Sequence, residues 1–142
     1  IFRQSLPLCI ISPSAVVIHK NIFAEVGLFD EEMPVCEDYD LWLRITQRYP
    51  VGLDTHPGTI KYGGHADQLS RSTPAMDYWR IRAMKKHLEN PDMSEEDQIA
   101  LIRELVRKLT IYTKGAVKRS RPAAEETKLL EKLLNQYMPK PR

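Results

Sequence analysis

The chain has 142 residues, of which 42% are hydrophobic and 28% charged, close to the composition of an ordinary globular protein. This length fits one domain, or a compact lobe with a helical extension. The formal net charge of +2 is too small to indicate a nucleic-acid-binding protein. No apolar run in this chain reaches the ~20 residues that a membrane-spanning helix needs.

The two cysteines, Cys9 and Cys36, do not form a C-x-x-C motif. They favour reduced thiols in a cytoplasmic protein over a disulfide or a zinc site. The chain begins with Ile1 rather than Met, its first residues resemble the middle of a domain, and no signal peptide pattern is visible. We therefore expect this chain to be a piece of a longer protein.

Short apolar runs in the first half of the chain are bounded by Pro, Gly and Ser, the pattern of short strands. A short helix is predicted over 22–26, with Asn21 as its cap and Gly27 at its end. Residues 1–73 are therefore predicted to be α+β. The runs 8–11 and 15–18 are predicted to be two strands or a strand and a turn, and 51–53 and 59–62 are predicted to be strands.

A helix is predicted from Glu37 onward. Its apolar side chains recur at helical spacing, and Pro50 ends it. Asp40 and Arg44 stand four residues apart on this helix and are predicted to form an ion pair. The apolar positions are Leu41, Trp42, Ile45 and Tyr49.

The second half, residues 74–142, is predicted to be an extension of three helices. Pro74 suits the first position of one helix, which Asn90-Pro91 stops. Ser94 and Asp97 resemble a capping box at the start of a long amphipathic helix. After Arg121-Pro122, a third helix is predicted over 123–138.

Glu37 and Asp38 place two adjacent carboxylates where a helix begins. Free backbone N–H groups and the positive end of the helix dipole favour the ionised carboxylate there, as a general base requires. The alternative is that both are first-turn acids that only stabilise the helix. The residues alone leave both interpretations open.

Four segments occur in an order and at spacings that resemble the C-terminal half of the catalytic domain of family 2 glycosyltransferases of the GT-A fold. The resemblance covers roughly residues 5 to 72, about half of the chain. It rests on SPSAVVIHK (12–20), FAEVGLFDE (23–31), EDYDLWLR (37–44) and HADQLS (65–70).

The resemblance implies that Asp38 is the general base that takes the proton from an acceptor hydroxyl, with Glu37 beside it. It implies a substrate-binding role for the residues just before this pair and for a later loop. Leu28 stands where many relatives have a second glycine, which concerns the shape of the acceptor pocket. The implied substrate-binding residues are Gly27, Phe29, Asp30, Gln68, Ser70 and Arg71.

The resemblance also implies a divalent metal, Mg or Mn, held mainly by an upstream half of the domain, with His65 as a ligand in this chain. Asp38-Tyr39-Asp40 has the letters of a D-x-D metal motif. On a helix, however, residues two apart point ~200° apart and do not chelate one ion. We therefore predict that Asp40 forms an ion pair with Arg44 and does not coordinate a metal.

The predicted function is part of an inverting glycosyltransferase, which moves a sugar from a nucleotide-sugar donor to a hydroxyl of a glycan or lipid-linked acceptor. Cell envelope polysaccharide biosynthesis is the expected setting, and the chain alone is expected to be inactive. The alternative is a helical module that binds a partner or a second copy of itself without catalysis, and the helical tail is also a candidate for oligomerisation of an enzyme.

Seven Lys or Arg residues stand against one acid, Glu104, between Arg103 and Arg121. One interpretation is a solvated helix face, and the other is peripheral contact with an anionic membrane at its cytoplasmic face. Nucleic acid is not expected, because no aromatic residues alternate with the basic ones.

Overall fold

The computed structural model describes residues 1–60, 62 and 76–137. In these ranges the chain forms six α-helices and one 3₁₀ turn, Pro13–Ala15. The helices are α1 (Phe2–Ser5), α2 (Lys20–Val26), α3 (Glu37–Thr46), α4 (Met76–Lys85), α5 (Glu95–Lys118) and α6 (Ala124–Tyr137).

The predicted α+β fold class with short GT-A strands is wrong for the described residues, which contain helices and no strand. The strand prediction rests on apolar runs that Pro, Gly and Ser bound. A strand also needs a neighbouring backbone to pair with. With other described residues as partners, residues 8–18 form one backbone–backbone bond, the local turn from Ala15 N to Ser12 O, and residues 51–60 form none. Residue 61 of the fourth run lies outside the described ranges.

Helix α3 is the centre of the fold, because apolar side chains surround it on two sides. Tyr39 and Leu43 enter a core shared with α1, α4, α5 and α6. Leu41, Trp42 and Ile45 enter a second cluster, formed with the chain around residues 9–18 and with α2. The predicted helical periodicity of Leu41, Trp42 and Ile45 is confirmed. Tyr49 packs against the same cluster but lies beyond the helix, which ends at Thr46 and not at Pro50 as predicted.

The last two helices complete the larger core. Helix α5 packs against α1, α4 and α6, and Leu101, Leu105 and Leu109 are fully buried along it. Leu133 of α6 is buried in the same core, with Leu129 packed beside it. One core therefore joins residues from both predicted parts, 1–73 and 74–142, and the division between them stays a prediction.

Local signals explain where several helices begin and end. Ser94 caps α5 by accepting a hydrogen bond from the backbone N–H of Asp97 at 3.2 Å, as predicted. At α2, His19 is the cap instead of the predicted Asn21, and its Nδ1 accepts from the Asn21 N–H at 3.3 Å. None of the helices in the described ranges has the length and apolar character that crossing a bilayer demands.

Candidate active site

The acid pair, Glu37 and Asp38, forms the start of α3, and both side chains are half-buried. The residue before them, Cys36, has φ +61° and ψ +19°, a left-handed conformation that costs a non-glycine residue roughly 1–2 kcal/mol. Such strain persists only where the surrounding structure holds it, and it concentrates at functional sites. The cysteine side chain is buried and supplies no capping bond to α3. The chain is thus turned sharply where the acid pair begins.

Asp38 is held by a backbone group and by a thiol. Its Oδ1 accepts a hydrogen bond from the Tyr39 N–H at 2.6 Å. Its Oδ2 accepts a longer contact from Cys9 Sγ at 3.5 Å. Burial, together with the charge of Asp38, raises the pKa of Cys9 to about 12. Cys9 therefore keeps its proton at neutral pH and is a donor toward the carboxylate.

The segment that carries Cys9 is fixed from two directions. The buried Tyr39 hydroxyl donates to the Leu6 carbonyl at 2.6 Å. Lys108 of α5, which is also buried, donates to the Pro7 carbonyl at 3.0 Å and to Asp77 Oδ1 at 3.2 Å. Burial opposes ionisation of Asp77, but Lys108 and Arg80 outweigh it and lower the pKa of that carboxyl. Helices α4 and α5 thereby hold the backbone that presents Cys9 to Asp38.

Helix α4 begins beside the acid pair. Cys36 Sγ lies 3.9 Å from the Met76 carbonyl, to which it donates a weak hydrogen bond. Met76 therefore lies against the residue that precedes Glu37. His65, Gln68, Ser70 and Arg71, which were predicted to bind metal or substrate, lie outside the described residues.

Asp40 has a role different from that of Asp38. Its side chain is fully buried, and its Oδ2 accepts bonds from Arg44 Nη2 at 2.9 Å and Nε at 3.1 Å, which confirms the predicted ion pair. Lys86 Nζ lies 2.7 Å from the other oxygen, Oδ1. That oxygen accepts no well-directed hydrogen bond, so this second contact is an ion pair by proximity. Asp40 is thus a buried ion-pair partner.

Arg44 also fixes the turn that follows α2. Its guanidinium donates to the carbonyl of Val26 and, at 2.7 Å, to that of Leu28. Between them, Gly27 has φ +82° and ends α2, its N–H bonded to the Phe23 carbonyl at 3.0 Å. A Cβ at Gly27 would lie 3.4 Å from Arg44 Nη1. Glycine is therefore used here because φ +82° with ψ 175° is a backbone conformation that is open essentially to glycine alone.

The other two predicted substrate-binding residues of this turn have different surroundings. Phe29 is partly exposed. Asp30 Oδ2 accepts from Lys86 at 2.7 Å, and Oδ1 accepts from the Glu32 N–H at 2.9 Å. The Lys86 ammonium holds the pKa of the Asp30 carboxyl below its usual value. Lys86 therefore joins Asp30 to Asp40, while Asp38 faces Cys9. Within the described ranges no hydrogen bond or ion pair joins Asp30 to the acid pair.

Lys86, Cys9 and Lys108 are neighbours that the sequence interpretation did not assign to this region. Lys108 belongs to the basic cluster of the sequence, but it lies on the same side of α5 as Leu101 and Leu105 and is buried with them. This helical spacing was a signal in the sequence that Lys108 is buried. Lys86 and Cys9 carry no local signal, because their partners are 46 and 29 residues away in sequence.

The described residues do not form a metal site, since no group of three or more His, Cys, Asp or Glu side chains converges among them. Asp38 and Asp40 point to different partners, as the helical spacing required. The donor set in this part of the chain does not fit a divalent ion, and the assignment of His65 as a ligand stays a prediction.

Comparison with known proteins supplies the class of the molecule. Residues 7–109 match the model of a family described as glycosyltransferase like family 2. Over 68 residues the chain is 35% identical to an uncharacterized glycosyltransferase of Rickettsia felis, and equally to one of Rickettsia conorii. These matches cover 46% of the chain and 11% of each relative, so the chain spans a small part of the length of the curated relatives.

No solved structure matches the chain significantly. The family match covers most of the chain and extends through α4 and into α5, beyond the segments that carried the sequence resemblance. The match includes the acid pair, the turn after α2, and the contacts of Lys86 and of the buried Lys108. The chain belongs to the glycosyltransferase-like family 2.

Proposed function

We propose that this chain contributes the general base of an inverting glycosyltransferase, which moves a sugar from a nucleotide-sugar donor to a hydroxyl of an acceptor. The proposal rests on one observation above all. A family 2 glycosyltransferase chain presents a half-buried carboxylate, Asp38, at a helix start that follows a left-handed cysteine.

In the proposed step, the Asp38 carboxylate accepts the proton of the acceptor hydroxyl. The acceptor oxygen forms a bond to the anomeric carbon while the bond from that carbon to the donor diphosphate breaks on the opposite face. The proton ends on Asp38, the nucleoside diphosphate leaves, and the anomeric configuration is inverted.

The surroundings of the Asp38 carboxylate suit its proposed role as a proton acceptor. Among the residues that the structure describes, the Asp38 carboxylate contacts the backbone N–H of Tyr39 and the protonated thiol of Cys9, and neither donor is a cation. A direct ion pair would hold the proton acceptor in its charged form and weaken it as a base. The Asp40 carboxylate, by contrast, forms ion pairs with Arg44 and Lys86. The contrast between the two aspartates is the chemical basis for choosing Asp38.

The divalent ion, Mg or Mn, remains a prediction of the resemblance. The donor sugar, its nucleotide and the acceptor, whether a glycan or a lipid-linked molecule, are left open by the proposal. A cytoplasmic location and a role in envelope polysaccharide synthesis are likewise parts of the proposal.

The alternative of a helical interaction module is not favoured by a specific observation. It needs an apolar face of α6 free for a partner, whereas Leu133 is buried in the core and Leu129 and Leu130 pack against that core. Leu134 and Tyr137 are the large apolar side chains that α6 leaves exposed.

The test uses the protein at its full natural length. It is incubated with a set of nucleotide sugars of known anomeric configuration and with glycan and lipid-linked acceptors, and products are followed by proton NMR. We expect a glycoside whose anomeric configuration is the inverse of that of the donor. A product that retains the donor configuration would overturn the inverting mechanism, and the absence of transfer from every donor would overturn the enzymatic assignment.

A further inference from the structure

One side of α5 is both strongly basic and open to solvent. With 100° per residue, four cations and three aliphatic residues of this helix fall within about a third of its circumference. We call this surface the basic face. It consists of Arg103, Arg107, Lys114, Lys118, Ile99, Ile111 and Val117, and it extends over about 28 Å of helix at 1.5 Å per residue.

The cations of the basic face are largely uncompensated. Arg103, Lys114 and Lys118 are exposed, and no acid among the described residues pairs with them. Arg107 binds Glu104 at 2.6 Å, and Glu104 also lies 3.4 Å from the buried Lys108. Because Glu104 is shared between Arg107 and Lys108, it neutralises the charge of Arg107 only in part. A net positive surface of this kind attracts anions over roughly a Debye length.

The aliphatic residues of the basic face are unusually exposed for their type. Ile99 is 42% exposed, Ile111 50% and Val117 80%. At 100° per residue, Ile99 and Val117 lie along one edge of the four cations and Ile111 lies along the other edge. The opposite side of α5 carries Leu101, Leu105 and Leu109, which the core buries completely. The fold therefore uses one side of α5 for its own packing and leaves a second, mixed side without a partner.

We propose that the basic face docks the protein on the surface of an anionic lipid bilayer. Lys and Arg side chains near such a surface are attracted to its headgroups, and each adds about a fivefold factor in affinity. The aliphatic side chains on the two edges of the cations reach the apolar boundary beneath the headgroups, where burial favours them. Nucleic acid fits less well, because the face has no aromatic side chain on which a base would stack. The inference is independent of glycosyl transfer.

The test measures co-sedimentation of the 142-residue chain with vesicles of pure phosphatidylcholine and with vesicles of equal parts phosphatidylcholine and phosphatidylglycerol. We expect binding to the anionic vesicles that weakens as salt is raised, and little binding to the neutral ones. Lys114→Glu with Lys118→Glu should weaken binding by at least about 25-fold, the product of two fivefold factors.

The matched control is Lys128→Glu with Lys132→Glu. It changes the net charge equally, at two exposed lysines of α6. A second variant, Ile111→Ser with Val117→Ser, keeps the charge and should also weaken vesicle binding. Helix content by circular dichroism verifies that each variant is folded.

Absence of binding to anionic vesicles would overturn the proposal. Equal losses in the α6 control and in the α5 variant would also overturn it, because net charge rather than the basic face would then be responsible. A third contrary result is tighter binding to duplex DNA than to anionic vesicles, together with no effect of the Ile111 and Val117 changes, which would assign the face to nucleic acid.

Discussion

Lys86 Nζ lies 2.7 Å from Asp30 Oδ2 and 2.7 Å from Asp40 Oδ1, so one ammonium joins the turn after α2 to the buried face of α3. Arg44 repeats this connection from α3 itself, through the Val26 and Leu28 carbonyls. The two cations hold the turn in place beside the helix whose first residues are the proposed site.

Removal of the buried charge at the centre of this network should destabilise the fold. In Asp40→Asn, Arg44 loses its charged partner and Lys86 keeps only Asp30. Breaking a buried ion pair from one side typically costs about 3–5 kcal/mol. We expect about 3 kcal/mol by urea denaturation, since both cations are partly exposed. The exposed Asp92→Asn is the control, and a cost for Asp40→Asn below about 0.5 kcal/mol would contradict this description.

The glycine that ends α2 with a positive φ should resist substitution. Gly27→Ala adds a Cβ at φ +82° and 3.4 Å from Arg44 Nη1, and we expect a loss of about 1–3 kcal/mol in the free energy of unfolding. Gly58→Ala is the matched control, because no atom lies within 4 Å of a Cβ built there. Similar losses at the two positions would show that the conformation of Gly27 does not matter.

His87 should make stability depend on pH. It is 4% exposed, and burial lowers its pKa to about 4, although Asp40 opposes the shift while Arg44, Lys86 and Arg48 add to it. The unfolded chain titrates near 6.5, so between pH 6.5 and 4 it binds a proton that the folded chain does not. Stability should therefore fall as pH is lowered through this window, with a limiting slope of about 1.4 kcal/mol per pH unit.

The measurement is urea denaturation at several pH values for the wild type, His87→Gln and the exposed control His56→Gln. The His87 variant should lose most of the slope between pH 6.5 and 4, and the His56 variant should keep it. Below this window, carboxyls with lowered pKa, such as Asp30 and Asp77, add their own loss of stability. An unchanged slope in His87→Gln would show that this histidine is not the titrating group.

The terminal helix should behave as part of the core. Leu133→Ala removes a side chain that is 3% exposed and should cost about 2–5 kcal/mol. Leu134→Ala, at a residue that is 37% exposed, should cost about 1 kcal/mol or less. Thermal unfolding measures the loss of stability in both variants. Light scattering of the wild type tests whether α6 instead forms a dimer. Equal effects of the two changes would mean that α6 does not pack as described.

The predictions that succeeded depended on local chemistry. The start of α3 at Glu37, the Ser94 cap of α5 and the pairing of Asp40 with Arg44 all follow from residues within four positions of each other. The strands failed because their existence depends on distant pairing partners, which no local pattern reveals. The left-handed Cys36 was also not predictable, since such a conformation in a non-glycine residue is imposed by its surroundings.

The sequence predicts the two acids of the candidate site, Glu37 and Asp38, but not the residues around them. The sequence interpretation selected Glu37 and Asp38 from position and resemblance. The thiol of Cys9 and the buried Lys108, which arrange the chain beside Asp38, come from segments 29 and 70 residues away from it. The difference between Asp38, with a thiol partner, and Asp40, with two cations, became visible only when those segments were placed.

The most direct test of the central claim is the rate of sugar transfer by the full-length natural protein that carries Asp38→Asn, compared with Asp92→Asn as a control on an exposed acid. Removal of a general base typically lowers the rate by about 10²–10⁴-fold. We predict a loss in that range for Asp38→Asn, with an unchanged thermal midpoint, and none for Asp92→Asn. Transfer at the wild-type rate by a folded Asp38→Asn protein would contradict the account.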